Sequence, residues 1–487
     1  MSSVRRVGTV VLLGALSLYL TAGRGVSPGD ESWFLLVAKR VADGDDLYRD
    51  VFYSPLPLAV YVTAAPVALL GAHIAIVEVL IALTWSCTAL VAVGYALRVT
   101  GSRAAAGLTL MALVVAAPPQ RNSLYTPLAV LLLLVCMLIA KRLVEAGGGR
   151  SALLAGAVAG LSFASKQTIG AGAFAALLLC LAFAPRAHRT RAVLASLGGF
   201  AAVSAVLAIV LALSGLLDDA VRTGFTDKGE YLAYGSLSYW QALWTAAQFL
   251  PSEPVGAFDT LPLLLAPAVA AVLVVAARSR ALSVPVLVPA AFAIAALAAT
   301  YPRMSATHIG WVNPAVIVCA VAAVGPSIRV RRRIALAAAP LAIGCAIAAA
   351  LIPVSWAGGQ LVVSSLPAFE GMPLSRTSER EPARLLHSVQ RGESVLFVTD
   401  HAGFLYLVTG ARNPTPYDVP AASNIGQIEL ASIAADVRSG AISQACLGGR
   451  LAYPDEPSLQ PLALERVLRR TLRPVADLGP CVLYSRA

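Results

Sequence analysis

Long apolar runs alternate with short polar loops along most of this chain, and basic residues gather in alternate loops. The first run is 7–22. Others follow at 72–97, 104–117, 124–140, 151–164, 168–184, 192–213, 261–277, 281–299, 310–324 and 334–353. Most approach the ~20 residues a helix needs to cross a bilayer core of about 30 Å. With 7–22 as an anchor whose N-terminus is cytoplasmic, Arg98/Arg103, Lys141/Arg142/Arg150, Arg186/Arg189/Arg191, Arg278/Arg280 and Arg329/Arg331/Arg332/Arg333 all fall inside, as the positive-inside rule asks. This requires that the stretch 55–70, which opens with Pro55 and Pro57, does not cross; a crossing there puts every later cluster outside. The pattern predicts about eleven spans, with 55–70 as a juxtamembrane helix. A cleaved signal peptide is the alternative for 7–22, and no A-x-A-like site follows it.

The segment 23–54 departs from this pattern. It collects Asp30, Glu31, Asp43, Asp45, Asp46 and Asp50 in a chain otherwise poor in charge. Between them Trp33, Phe34, Val37, Ala38 and Val41 repeat as one face of a helix, with Lys39 and Arg40 on the wetter side. The spacing predicts an amphipathic helix lying on a membrane surface. Carboxylates beside a bilayer are costly to bury, so they are either solvated or used. From about Ser364 the apolar runs shorten. Strands are expected at 394–399 and 481–484, and helices at 383–390 and 427–438. The fold class that results is an α-helical polytopic membrane protein, residues 1–353, followed by a small α/β domain outside the membrane, residues 364–487. The loop 214–261 carries Phe225, Tyr231, Tyr234, Tyr239, Trp240 and Trp244; it either covers a site or rests on lipid headgroups.

Composition removes the soluble class. The 487 residues are 58% hydrophobic and 13% charged, with mean hydropathy +0.76, against about a quarter charged in soluble domains. The net charge of +11 would point to nucleic acid if the basic residues formed a soluble face. They sit between spans, so nucleic acid is not an expected partner. Cys87, Cys136, Cys180, Cys319 and Cys345 lie in apolar runs as packing residues. Cys446 and Cys481 lie in the outer domain, where disulfides persist, and are expected to pair; two buried thiols are the alternative. No C-x-x-C or His-rich spacing marks a zinc site.

The topology carries Asp30, Glu31, Asp50, Arg121, Lys166, Gln167, Arg222, Lys228, Glu230, Arg303 and His308 to the outer side. Carboxylates, cations and a histidine at one face of a bundle are a site by default. Several stretches there resemble a known family. They are Pro28-Gly29-Asp30-Glu31 after the first span, Ala38-Lys39-Arg40-Val41-Ala42-Asp43-Gly44, and Leu47-Tyr48-Arg49-Asp50-Val51-Phe52-Tyr53-Ser54-Pro55. Ser165-Lys166-Gln167 and Tyr301-Pro302-Arg303, with His308, each follow a later span. The layout to about residue 350 resembles the GT-C membrane glycosyltransferases, in the branch of protein O-mannosyltransferases and aminoarabinose transferases. The resemblance implies transfer of a sugar, with inversion, from a polyprenyl-phosphate donor to an acceptor hydroxyl on a glycan, lipid or protein. It places the reaction at the outer face of a bacterial cytoplasmic membrane. Many relatives have Pro-Asp-Glu where Gly29 intervenes here. Aminoarabinose transferases place a Glu before the Lys-Pro that opens the juxtamembrane helix, where this chain has Phe52-Tyr53-Ser54-Pro55. Asp50 is the nearest acid, so a two-carboxylate site for a divalent metal ion, the one cofactor in view, stays open.

The residues point to the same chemistry. A hydroxyl attacking an anomeric carbon needs a carboxylate to take its proton, and a leaving phosphate needs cations. Asp30 is the first candidate base and Asp50 the second, with Glu31 as helper. Lys166 is the first candidate phosphate ligand and Arg303 the second. Gln167 and His308 would bond sugar or phosphate oxygens, with Arg49 and Tyr53 in the same donor-binding set. The plainer readings are an interfacial anchor for Arg303, a helix cap for His308 and a snorkelling Lys166. Two other classes compete. A transporter or flippase of lipid-linked sugars predicts polar groups near the midplane and often repeated halves. A non-catalytic envelope assembly protein would bind through its outer domain.

Overall fold

The computed structural model describes residues 3–117, 123–227, 236–249, 263–271, 273–274, 284–328, 360–420, 425–448 and 461–486. Arg121, Lys228, Glu230, Tyr231, Tyr234, Cys345, the basic residues at 278–280 and 329–333, and the run 334–353 lie outside the described residues.

The apolar runs become helices: α1 (Ser3–Leu20), α4 (Ile74–Thr100), α5 (Arg103–Ala116), α6 (Tyr125–Ala146), α7 (Gly149–Ser165), α8 (Gln167–Leu181), α9 (Arg186–Leu213), α11 (Val284–Ala298) and α12 (Ala306–Ile328). They share one apolar core, in which Leu13, Trp85, Leu133, Ala155, Leu177, Phe292 and Val318 are buried. The aromatic loop after α9 holds a short helix, α10 (Tyr239–Phe249). α4, α6, α9 and the stretch Ala306–Ala323 of α12 are long and apolar enough to cross a membrane; α1, α5, α8 and α11 are shorter apolar helices. The chain is a multi-pass membrane protein. Where α5 stops inside the bundle its last carbonyls still find donors, as apolar surroundings demand. Asn313 Nδ2 donates to Ala116 O at 2.7 Å and Trp85 Nε1 to Ala117 O at 2.9 Å. α7 and α9 cross through glycines: a Cβ at Gly156 would meet Ser196 O at 2.0 Å, and one at Gly199 would meet Leu153 O at 2.1 Å.

The acidic segment forms α2 (Asp30–Ala42), and the short apolar stretch forms α3 (Leu58–Leu70). Phe34, Leu35, Leu36, Val37 and Ala38 are all buried. α2 packs on α3, on α4 and on α13 (Ala402–Thr409). The helix expected on a membrane surface is therefore enclosed by protein. Its apolar stripe needs an apolar partner, and the C-terminal region supplies one in place of lipid. The chain on both sides of α3 touches that same region. Phe52 N–H donates to Pro416 O at 2.8 Å, and Ile74 N–H to Ala368 O at 2.9 Å.

The C-terminal region holds an antiparallel pair, β1 (Leu361–Val363) and β2 (Pro373–Ser375). Its four-stranded sheet has the order β3-β4-β6-β5, with β3 (Leu396–Val398), β4 (Gln444–Gly448), β5 (Arg473–Asp477) and β6 (Cys481–Ser485). β3 and β4 are parallel and the other pairs antiparallel. Side chains alternate across it. Leu396, Val398, Ala445 and Leu447 pack with α14 (Gln427–Ser439) and α15 (Leu462–Thr471). Phe397, Cys446, Cys481 and Leu483 join a core with Phe34, Leu35, Tyr53 and Ile74. Cys446 and Cys481 are joined by a disulfide across β4 and β6, with Cα atoms 5.4 Å apart. Cys136, Cys180 and Cys319 are buried thiols and Cys87 is exposed. β4 and β5 escape the sequence pattern because β4 opens with Gln444 and runs into Gly448-Gly449, while β5 is an exposed edge strand carrying Pro474.

Candidate functional site

α7 and α8 are separated by one residue. Lys166 sits there in extended backbone, its N–H on Ser162 O at 2.9 Å and its own carbonyl accepting from Gly170 N–H at 3.0 Å. The break is tight: a Cβ at Gly170 would lie 2.0 Å from Phe163 N. Ser162 and Ser165 staple α7 to α6 through the carbonyls of Ala129 and Tyr125, at 2.9 and 2.7 Å. The half-buried Lys166 side chain then enters a cage. Its Nζ is 3.0 Å from Thr126 Oγ1, 5.4 Å from the Tyr125 ring centre and 4.7 Å from the Trp311 ring centre. Tyr125 and Thr126 open α6, and Trp311 lies in the second turn of α12.

The Trp311 ring lies tilted against His308, with ring centres 4.4 Å apart. His308 Nδ1 is 2.7 Å from Ser305 Oγ, and its backbone N–H donates to the same oxygen at 3.4 Å, so Ser305 caps α12 and His308, in the first turn, stands beside the cage. Lys166 and Arg303 both lie within electrostatic reach of His308. On the other side Tyr125 meets Tyr53 edge-on at 6.2 Å, and Tyr53 stacks on Trp33 of α2 at 6.1 Å. Tyr53 is fully buried, and its hydroxyl has no hydrogen-bond partner among the described residues. A row of rings thus links the first turns of α2 to Lys166 and His308.

The remaining predicted residues are placed differently. Gln167 uses its amide N–H groups on Ser54 O at 3.2 Å and Gly224 O at 3.1 Å, which ties the chain before α3 to the chain after α9. Arg49 reaches Asp46 at 3.1 Å, Asp219 at 3.3 Å and Gly215 O at 2.6 Å, and so joins those same two stretches at the surface. Asp50 accepts from Asp46 N–H at 2.9 Å and closes its loop. Glu31 is buried, with Oε2 on Ser27 N–H at 2.9 Å. Asp30 is exposed at the first position of α2. Among the described residues no three of His, Cys, Asp and Glu gather as a metal site. Glu31 and Asp50 each give one carboxylate oxygen to a backbone amide, which fixes their orientation.

Arg40 fixes the back of α2. It pairs with Asp45 at 2.7 Å and Asp418 at 2.8 Å, and reaches Asp50 O at 2.6 Å. Burial acts to lower its pKa, but the facing carboxylates outweigh this and raise it. Sequence reasoning passed over Tyr125, Thr126 and Trp311, which read as ordinary span residues. It also passed over Glu78, a fully buried carboxylate in α4; a charge inside an apolar run was the available signal.

No family model matches the chain, and no curated protein sequence matches it. Its fold does have solved counterparts. ArnT from Cupriavidus metallidurans bound to undecaprenyl phosphate aligns over 100% of this chain and 99% of its own, with TM-score 0.59 and 16% identity. The apo state of that protein gives TM-score 0.61 at 15% identity, over 99% of this chain and 98% of its own. The chain has the ArnT fold. This is the GT-C architecture that its sequence resembles, and the alignment takes in both the membrane bundle and the C-terminal sheet.

Proposed function

We propose that this protein is a membrane glycosyltransferase that moves a sugar from a polyprenyl-phosphate donor to an acceptor hydroxyl, with inversion. The observation that carries the reading is the caged Lys166. It is a cation held by aromatic faces and a hydroxyl at one end of a membrane bundle, in a fold shared with a protein that binds undecaprenyl phosphate. In the proposed site the ammonium and Arg303 take the donor phosphate, and charge-assisted contacts stabilise it as it leaves. Tyr53 and the second ring nitrogen of His308 contact phosphate or sugar oxygens. Asp30 takes the acceptor's proton. Gln167, Arg49 and Asp50 hold the loops around this centre. The C-terminal region and the caged face lie outside the cytoplasmic membrane, with the N-terminus inside. α3 lies along the outer surface, which agrees with both of its flanks touching the C-terminal region.

The test is sugar transfer by the purified protein with a panel of polyprenyl-phosphate sugars and glycan, lipid and protein acceptors. The expected result is release of polyprenyl phosphate coupled to a glycosylated acceptor of inverted anomeric configuration. Movement of an intact lipid-linked sugar between leaflets, with no transfer, would replace the reading with the flippase.

A further inference from the structure

The opposite end of the bundle carries a second concave site. α6 begins at Tyr125 beside Lys166, and Lys141 lies about 24 Å further along it at 1.5 Å per residue. There a cavity of about 400 Å³ opens among α4, α6, α11 and α12. This is within the roughly 300–1,000 Å³ of ligand pockets. Arg98, Lys141 and Arg142 line it together with one carboxylate, Glu145. Lys141 is paired to Glu145 at 2.7 Å. Val99, Leu138 and Val286 supply apolar wall. The cavity's geometry is braced by Tyr95, whose hydroxyl donates to Pro285 O at 2.8 Å and pins the start of α11 to α4.

The positive-inside rule accounts for the sign of these residues but not for their convergence. Cations that only mark topology extend singly from helix ends into water. Here Arg98 and Arg142, themselves exposed, come from two helices and line one concavity whose other walls are apolar, and Glu145 leaves a positive excess. A cationic rim on an apolar wall suits an amphiphile with an anionic head, and basic pockets between spans take anionic lipid headgroups. We propose that this cavity binds the phosphate of an anionic phospholipid, with Arg98 and Arg142 as its ligands and its acyl chains along Leu138 and Val286. The proposal needs only that the chain spans a membrane; it does not depend on the sugar-transfer reading.

The full chain, purified in a neutral detergent, is titrated with phosphatidylglycerol and with phosphatidylcholine, and bound lipid is counted by native mass spectrometry. Inorganic phosphate is the competitor. Phosphatidylglycerol should bind at least tenfold more tightly than phosphatidylcholine, and a large excess of inorganic phosphate should be needed to displace it. The preference should disappear in R98Q/R142Q and persist in R103Q/R150Q, which removes charge at the same end but outside the cavity. Leu138→Trp fills the cavity without altering charge and should also abolish it, which keeps the test alive where the double variant does not fold. Equal binding of the two lipids, or a preference that survives both cavity variants, overturns the proposal. So does equal loss in R103Q/R150Q, which would mark general surface charge. Displacement by inorganic phosphate at equal concentration would assign the cavity to a soluble phosphate and end the lipid assignment.

Discussion

An ammonium held by two aromatic faces and one hydroxyl is positioned without being neutralised. Each cation–π contact contributes ~0.5–2 kcal/mol, and together with the Thr126 hydroxyl the two rings hold the Lys166 Nζ in place for an anionic ligand. A hydrogen bond to a charged group is worth ~1.5–3 kcal/mol. Lys166→Ala should therefore weaken undecaprenyl phosphate binding by roughly 10–100-fold, read by titration of the purified protein. Unchanged affinity would move the phosphate site elsewhere. Asp30→Asn keeps the shape and removes the proton acceptor. It should abolish transfer while donor affinity stays near wild type; wild-type turnover would remove Asp30 from the role of base. Lys166 and Gln167 are legible in the sequence because two polar residues interrupt an apolar run. Tyr125 and Trp311 are not, because an aromatic residue inside such a run looks the same whether it packs or cages. The roles of Arg49, Asp50 and Gln167 are equally hidden. Their types suit phosphate or proton chemistry, and only the fold reveals that their bonding capacity serves the loops.

Helices of the bundle are the most legible elements, since a run of apolar residues long enough to cross leaves little else to form. What the runs do not state is where backbones touch. α8 departs from Lys166 so closely over α7 that a side chain at Gly170 would overlap Phe163. Gly170→Val should destabilise the protein by at least about 1–3 kcal/mol and disturb the Lys166 cage. Thr168→Val, exposed two residues earlier, should be tolerated. Thermal unfolding of the two variants in one detergent checks this, and equal midpoints would mean that α8 moves freely. α3 raises a question of sidedness. At 13 residues it is about 20 Å long, and both of its flanks meet the C-terminal region. Cysteines placed at Asp50 and Leu70, both exposed, should label with one impermeant reagent from the same, outer side. Labelling from opposite sides would make α3 a span and invert every helix after it.

At the scale of the whole molecule, the shift from long apolar runs to short ones suggests a membrane part and a separate outer domain, but the packing crosses that division. Phe369, Phe397 and Phe404 share a core with Phe34 and Leu35 of α2. The start of α13 lies so near α2 that a Cβ at Gly403 would be 2.7 Å from Trp33 Cα. Arg40 and Asp418 pair across the same contact. Local composition cannot reveal this, because each residue there suits a separate domain equally well. The arrangement makes the sheet a support for α2, and hence for Asp30. The disulfide stands on the face of the sheet that joins α2, and it closes a loop of 35 residues. In the chain-entropy model such a loop contributes about 3–4 kcal/mol. Cys446→Ser paired with Cys481→Ser should therefore loosen the sheet and, through the shared core, α2 as well. Hydrogen exchange should speed up over residues 396–485 and over residues 30–42 together, while residues 149–181, packed in the bundle around Lys166, exchange as before. Sugar transfer should fall with the loosening of α2, and undecaprenyl phosphate affinity should hold. Exchange that rises in the sheet alone would show two units that merely touch, and the C-terminal region would lose its place in positioning the base.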